Sequence, residues 1–129
     1  MKREESKTQC AFIEWCNLHL KKYPALNLAF AIPNGGQRSI ITASILKREG
    51  VRAGVPDWCL PVIASKPYSS EELSAGLWLE FKHGKNKLTP AQKEYARLLV
   101  CYGHEFYVCY DVDEAIKVTL DYLKRVPSA

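Results

Sequence analysis

Residues 54–60 read Gly-Val-Pro-Asp-Trp-Cys-Leu, residues 79–82 read Leu-Glu-Phe-Lys, and residues 89–92 read Thr-Pro-Ala-Gln. Side chains two residues apart in a strand point to the same face, so Glu80 and Lys82 share a face opposite to that of Leu79 and Phe81. Charged groups inside an apolar strand cost free energy unless a partner neutralises them. The stretch therefore predicts either a partly buried salt-bridge cluster or a site where Asp57 and Glu80 give Mg²⁺ its preferred oxygen ligands.

The composition is that of an ordinary globular domain. The chain has 129 residues, 47% of them apolar and 25% charged, which predicts one domain with its own core. No apolar run approaches the roughly 20 residues needed to cross a membrane. The first residues lack the apolar segment of a signal peptide, so we expect a cytoplasmic protein without a membrane partner.

The charged and cysteine residues narrow the choice of partners only slightly. A net charge of +4 mildly favours a polyanionic partner but does not identify one. The five cysteines include no Cys-x-x-Cys pair and lie within apolar patterns, which favours buried free thiols over a zinc site or a disulfide set.

Residues 4–22 have the apolar periodicity of a helix. At 100° per residue, one stripe forms on the inward side, comprising Gln9, Phe12, Ile13, Cys16 and Leu20. Glu5 falls within this stripe at its N-terminal end, whereas Glu4 and Glu14 do not. Position alone leaves two interpretations of Glu5: it faces a functional site, or it complements the positive end of the helix dipole.

The segment that follows predicts a strand, a turn and a short helix. Leu26 to Ile32 is apolar enough for a buried first strand. Pro33, Asn34, Gly35 and Gly36 then predict a turn, because glycine and asparagine tolerate a positive φ. The same glycines would let a backbone approach a phosphate closely, with the planar donor fork of Arg38 beside them. A helix is predicted from Ser39 to Glu49, with Gly50 just beyond its end.

The remainder of the chain predicts the rest of an α/β fold. We expect strands over residues 57–62, 77–83 and 105–110, a polar loop without chemistry over 64–76, and a closing helix over 112–125. Thr89 and Gln92 form a capping box for a helix whose inward stripe is Gln92, Tyr95, Ala96, Leu99 and Tyr102. The order α-β-α-β-β-α-β-α predicts a mixed sheet of about four strands with helices packed against it.

Five segments, in order along most of the chain, resemble the VRR-NUC family of virus-type replication and repair nucleases, within the PD-(D/E)XK superfamily. They are Glu5-x-x-x-Gln9, Pro33-Asn34-Gly35-Gly36-x-Arg38, Gly50-Val51-x-Ala53-Gly54-Val55-Pro56-Asp57, Glu80-Phe81-Lys82 and Leu88-x-Pro90-x-Gln92. The resemblance implies a restriction-endonuclease-like αβββαβ core, here with one inserted helix. It also implies metal-dependent hydrolysis of phosphodiester bonds that leaves 5′-phosphate and 3′-hydroxyl ends.

The resemblance further implies a role for each matching residue. Asp57, Glu80 and the Phe81 backbone carbonyl would bind Mg²⁺ or Mn²⁺, and Lys82 would lower the pKa of an attacking water and screen charge on the phosphate. Glu5 would join the metal site by orienting a second metal or its water shell. Gln92 would hold Lys82 or a phosphate oxygen, a role compatible with its cap. For DNA contact the candidates are Asn34, Gly35, Gly36, Arg38, Lys85 and Lys87.

Three hypotheses follow for the function. The first is a homodimeric endonuclease that resolves four-way DNA junctions, because small stand-alone members of the family resemble resolvases and no fused domain accompanies this sequence. The second is a flap or non-specific nuclease on the same fold. The third is a non-catalytic DNA-binding module, which the presence of every expected catalytic residue disfavours.

Overall fold

A computed structural model describes residues 3–33 and 39–128. Its helices are α1 (Arg3–Leu18), α2 (Ile40–Arg48), α3 (Pro90–Cys101) and α4 (Val112–Lys124), with a 3₁₀ helix at Pro24–Leu28. Its strands are β1 (Phe30–Ala31), β2 (Trp58–Leu60), β3 (Ala64–Lys66), β4 (Ser69–Ser74), β5 (Leu77–Phe81) and β6 (Glu105–Cys109). None of the helices within these residues is long and apolar enough to cross a membrane.

Four strands form the central sheet, in the order β1-β2-β5-β6. The β1–β2 and β2–β5 pairs are antiparallel, whereas β5 and β6 run parallel. β5 is an interior strand, and four of its five residues are buried because both of its faces are covered. The mixed four-stranded sheet flanked by helices confirms the predicted fold class.

The hydrophobic core lies on the face of the sheet that α1 and α4 cover. Phe12 of α1 packs edge-on against Trp58 with 4.9 Å between ring centroids, and its ring lies 5.7 Å from that of Phe81. Tyr122 of α4 is fully buried in the same cluster. On the opposite face, Tyr95 of α3 packs on Trp78, with their rings 6.4 Å apart. One face of the sheet is therefore covered by the apolar core, and the other adjoins the start of α3.

Two predicted boundaries in the first third of the chain are wrong. α1 ends at Leu18, where the His19 N–H bonds to the Cys16 carbonyl in a tighter turn, so residues 19–22 are not α-helical. The buried strand predicted over residues 26–32 is only the two-residue β1, preceded by a 3₁₀ turn, and β1 is exposed. β1 lies at the edge of the sheet, so an apolar sequence there did not imply burial.

Residues 64–76, predicted to be a loop, form the hairpin of β3 and β4. Most of β4 is exposed, so its sequence lacks the apolar alternation that would indicate a strand. An ion pair between Glu105 and Arg125 holds the open end of the hairpin through one contact on each strand. Glu105 accepts a hydrogen bond from Ser74, and Arg125 donates to the Ser65 carbonyl. This contact between distant segments stabilises the hairpin without an apolar signal.

Two smaller expectations are confirmed only in part. All five cysteines are free, and Cys16, Cys59 and Cys109 are buried, but Cys10 and Cys101 are exposed. In α3 the inward stripe holds for Ala96 and Leu99, which are buried. Tyr102, however, lies beyond the end of the helix and is 76% exposed.

Candidate active site

The register of the sheet brings Asp57 and Glu80 together. Trp58 of β2 pairs with Leu79 of β5 in antiparallel register, so the preceding residue, Asp57, lies opposite Glu80. The Asp57 N–H donates to the Leu79 carbonyl at 3.0 Å, and its carboxylate accepts from the Phe81 N–H at 2.8 Å. Both side chains are almost fully buried, with exposed fractions of 3% and 4%. Two carboxyl groups therefore face each other across the strands.

The electrostatics of this pair are unfavourable as they stand. Burial, and then the negative charge of Asp57, raises the pKa of Glu80 to about 8, although the charge of Lys82 opposes the shift. Burial likewise raises the pKa of Asp57 above its ordinary value, despite its hydrogen bond from the Phe81 N–H. A site that disfavours two ionised carboxylates is one that a divalent cation would stabilise.

Lys82 lies on the same face as Glu80, as strand alternation predicts. Its Nζ is 3.8 Å from Glu80 Oε2, and the residue is only 8% exposed. One lysine faces two buried carboxylates, and the charge of Glu5 also raises the pKa of both. Among the described residues, the salt-bridge interpretation therefore leaves a surplus of negative charge.

Gln92 serves two contacts at the start of α3. Its side-chain oxygen accepts from the Thr89 backbone N–H at 2.9 Å. Its backbone N–H donates to Thr89 Oγ1, which completes the predicted capping box. We expected its amide to hold Lys82 or a phosphate oxygen, but the amide nitrogen donates instead to Glu80 Oε2 at 3.2 Å. The helix cap thus uses the oxygen of the Gln92 side-chain amide, and the contact with Glu80 uses its nitrogen.

Glu5 is turned inward, as the helical wheel predicts. It is 6% exposed, whereas Glu4 and Glu14 are exposed. Its Oε2 accepts a hydrogen bond from the Asn86 side chain at 3.0 Å. A carboxylate that only complements the helix dipole would not need burial, so the structure favours the interpretation in which Glu5 faces the site.

The donor set suits a cation that keeps part of its water shell. Across residues 3–33 and 39–128, no three His, Cys, Asp and Glu side chains form a group that could hold a metal ion by themselves. Asp57 and Glu80 are two oxygen donors beside the Phe81 backbone, with Glu5 as a neighbouring charge. Mg²⁺ is commonly bound by one or two carboxylates with water completing its octahedron, so this set fits it.

Comparison with known proteins identifies the family. The model of the VRR-NUC domain matches residues 1–113. The chain belongs to the VRR-NUC family. A solved structure of a VRR-NUC domain protein superposes with a TM-score of 0.76 at 26% identity, covering 98% of this chain and 93% of that one. None of the curated proteins matches. VRR-NUC membership implies a nuclease that processes DNA, of a type that generally uses divalent metals.

The residues predicted to contact DNA fall into two groups. Asn34, Gly35, Gly36 and Arg38 lie outside the described residues. Lys85 and Lys87 are exposed on the loop that joins β5 to α3, on either side of Asn86. Because Asn86 donates a hydrogen bond to Glu5, this loop lies beside the candidate site.

Two residues of the site were missed by sequence reasoning. Asn86 is bonded to Glu5 across 81 positions, and nothing local marks it except its place between two lysines. Gly54 has a φ of +86°, and a Cβ at this position would lie 2.4 Å from the Ala91 carbonyl oxygen. The segment before Asp57 thus packs directly on the first turn of α3. The Gly-Val-Pro-Asp string carried this signal, because only glycine permits both the conformation and the contact.

Proposed function

We propose that this VRR-NUC chain is a metal-dependent, structure-specific DNA endonuclease that acts as a homodimer on four-way junctions. The observation that carries the catalytic part is the surplus of carboxylate over lysine in a buried cluster. Asp57 and Glu80 oppose each other and Glu5 adds a further negative charge, whereas Lys82 is the single opposing charge among residues 3–33 and 39–128. A bound divalent cation supplies the positive charge that this cluster lacks.

The chain offers its own ligands and orienting groups for the ion. Asp57, Glu80 and the Phe81 carbonyl would hold Mg²⁺ or Mn²⁺, and the bound ion would neutralise the phosphate and acidify a water molecule. Glu5 does not form a three-carboxylate group with Asp57 and Glu80, so it would accept hydrogen bonds from water in the shell of the ion. Gln92 would keep the Glu80 carboxylate oriented through its hydrogen bond.

Lys82 would lower the pKa of the attacking water and screen charge on the phosphate. Its ammonium group lies beside Glu80 in a dry environment, where a positive charge acts strongly on the attacking water and on the charged phosphate. Lys85 and Lys87, together with Asn34, Gly35, Gly36 and Arg38, would bind phosphates flanking the cut. Such contacts make DNA affinity fall steeply with salt.

The homodimer is supported by the surface of α2. None of its residues is buried, and Ile40, Ile41 and Ile45 are 89%, 74% and 41% exposed. α2 stands apart from α3 across a groove of about 1320 Å³, and the part of the chain that the structure describes leaves its isoleucines exposed. A second copy related by a two-fold axis would cover them. The same axis relates the two equivalent strands that a junction resolvase must cut.

A panel of labelled four-way junction, flap, duplex and single-stranded DNAs tests the proposal. In Mg²⁺ we expect paired symmetrical cuts in the junction with 5′-phosphate ends, and in EDTA we expect none. Preferential cutting of flaps by a monomer would replace the junction resolvase with a flap nuclease on the same fold. Binding without cleavage of any substrate would favour the non-catalytic DNA-binding module.

A further inference from the structure

Glu5 is held in the site by a residue that is not among the predicted catalytic group. Asn86 lies on the turn after β5, where its N–H bonds to the His83 carbonyl and the preceding Gly84 adopts a φ of +59°. Its side-chain amide donates to Glu5 Oε2 at 3.0 Å. Its backbone carbonyl accepts a hydrogen bond from the Tyr110 hydroxyl at 2.9 Å. Three segments therefore meet here: the start of α1, the β5–α3 loop and the end of β6.

The Glu5 carboxylate needs such a partner because it is only 6% exposed and has lost most of its contact with water. A buried charged group costs free energy unless it is hydrogen-bonded. A glutamate side chain also loses up to about 1.5–2 kcal/mol of rotational freedom when it is fixed in one conformation. A hydrogen bond to a carboxylate offsets a cost of that size.

The choice of an amide rather than a lysine has a chemical consequence. A lysine at this position would hold Glu5 equally well, but it would cancel the charge and compete with a cation. The neutral amide of Asn86 orients the carboxylate and leaves its full negative charge available. Tyr110 acts one step further out, because its hydroxyl fixes the loop that carries Asn86.

We propose that Asn86, braced by Tyr110, is a positioning residue that aligns Glu5 with the water shell of the metal. This rests on the proposed metal-dependent nuclease activity. Groups that orient the surroundings of a metal in this way typically contribute about 10–100-fold to metal affinity or activity. Asn86→Ala should therefore weaken Mn²⁺ binding and lower kcat by about tenfold or more, with little change in the KM for DNA.

The decisive experiment is a double-mutant cycle of Asn86→Ala and Glu5→Gln, followed by Mn²⁺ calorimetry and by cleavage. If Asn86 acts through Glu5, adding Asn86→Ala to Glu5→Gln should change neither Mn²⁺ affinity nor kcat further. Asn17→Ala, at an exposed position of α1, is the control and should match the wild type. Tyr110→Phe, which removes one hydroxyl from a half-exposed side chain, should reproduce part of the loss of Mn²⁺ affinity and of kcat. If Asn86→Ala does not fold, Tyr110→Phe tests the role of Asn86 in its place, and unchanged Mn²⁺ affinity would overturn that role.

The outcomes separate this inference from the proposed function. A wild-type protein that neither binds Mn²⁺ nor cleaves DNA overturns the nuclease assignment and the inference with it. A wild-type protein that does both, while Asn86→Ala binds Mn²⁺ equally tightly, overturns the inference alone. Additive losses in the double variant would show that Asn86 does not act through Glu5, and would also overturn it.

Discussion

Glu80 and Glu105 are both buried glutamates, but their neighbours differ. Burial raises the pKa of Glu105, and hydrogen bonds from Arg125, Ser74 and Tyr107 more than offset this, so it lies below its ordinary value. Glu80 faces Asp57, the charge of Lys82 opposes this only in part, and the pKa of Glu80 rises to about 8. Glu105 is thus a satisfied structural carboxylate, whereas Glu80 is held at a cost that a bound cation would relieve.

The pKa of Glu80 predicts how stability depends on pH when no metal is bound. Its pKa rises from an ordinary 4.5 to about 8 in the folded protein, so the folded state binds more protons than the unfolded state between these values. The free energy of unfolding should therefore fall as pH rises from about 5 to about 8 in EDTA. Glu80→Gln should flatten this dependence and be the more stable protein at pH 8. A wild-type protein whose stability increases over this range contradicts the charge balance described above.

The two contacts of Gln92 can be separated by a single substitution. Gln92→Glu keeps an oxygen that can accept from the Thr89 N–H, so the capping box and the melting temperature should be retained. It replaces the amide donor to Glu80 with a carboxylate at a separation of 3.2 Å, which adds like-charge repulsion. Cleavage should slow by at least about tenfold, as expected for the loss of a group that orients a ligand. Unchanged cleavage with unchanged stability would leave Gln92 only its capping role.

Among the secondary-structure elements, the junction between the 54–57 segment and α3 sets the geometry of the site. Gly54→Ala would bring a Cβ to 2.4 Å from the Ala91 carbonyl oxygen and 2.9 Å from the Gln92 nitrogen. We expect a loss of about 1–3 kcal/mol from the positive φ and a further ~1–3 kcal/mol from overpacking. Cleavage should fall as well, because Gln92 moves with the start of α3.

Gly50→Ala is the matched control for this substitution. Gly50 also has a positive φ, of +106°, but a Cβ there would meet no atom of the described residues within 4 Å. The Gly50→Ala protein should lose only the stability that depends on the positive φ, and it should cleave DNA at a normal rate. Equal losses in the two variants, measured by denaturant unfolding, would show that the close contact at Ala91 is not what makes Gly54 necessary.

Local chemistry decides which elements were predictable from the sequence. α3 was predicted correctly because its capping box lies within four residues, and β5 because a short apolar run is typical of a strand covered on both faces. The β3–β4 hairpin was missed because its support comes from Arg125, far along the chain. In the candidate site, too, local spacing was enough to predict that Glu80 and Lys82 share a face. By contrast, the contact of Asn86 with Glu5 requires the folded arrangement of α1.

For the whole molecule, the exposed isoleucines of α2 predict how the chain assembles. Wild-type protein should scatter light as twice the chain mass, and Ile41→Glu should be monomeric because it puts a charge in the proposed apolar interface. Leu18→Glu is the control, since Leu18 is 83% exposed at the end of α1 and should leave the dimer intact. A monomeric wild-type protein, or an unchanged dimer in Ile41→Glu, contradicts this interface.

Assembly has a consequence for the products. A dimer in which one subunit carries Lys82→Ala retains a single competent site and should nick a four-way junction without resolving it. The wild-type dimer should cut both strands at symmetrical positions.

Metal-dependent cleavage by the Asp57–Glu80–Lys82 group is tested most directly by one cleavage time course on a labelled four-way junction. Wild-type protein, Lys82→Ala and Lys21→Ala are compared in Mg²⁺ and in excess EDTA, with DNA binding measured in Ca²⁺. Lys21 is an exposed lysine beyond the C-terminal end of α1, whereas Glu5 lies at the other end of that helix. We predict that wild type and Lys21→Ala cleave only with Mg²⁺, while Lys82→Ala binds DNA but cleaves at least about a hundredfold more slowly. Full activity in EDTA, or a Lys82→Ala protein as fast as the wild type, would contradict metal-dependent cleavage by this group.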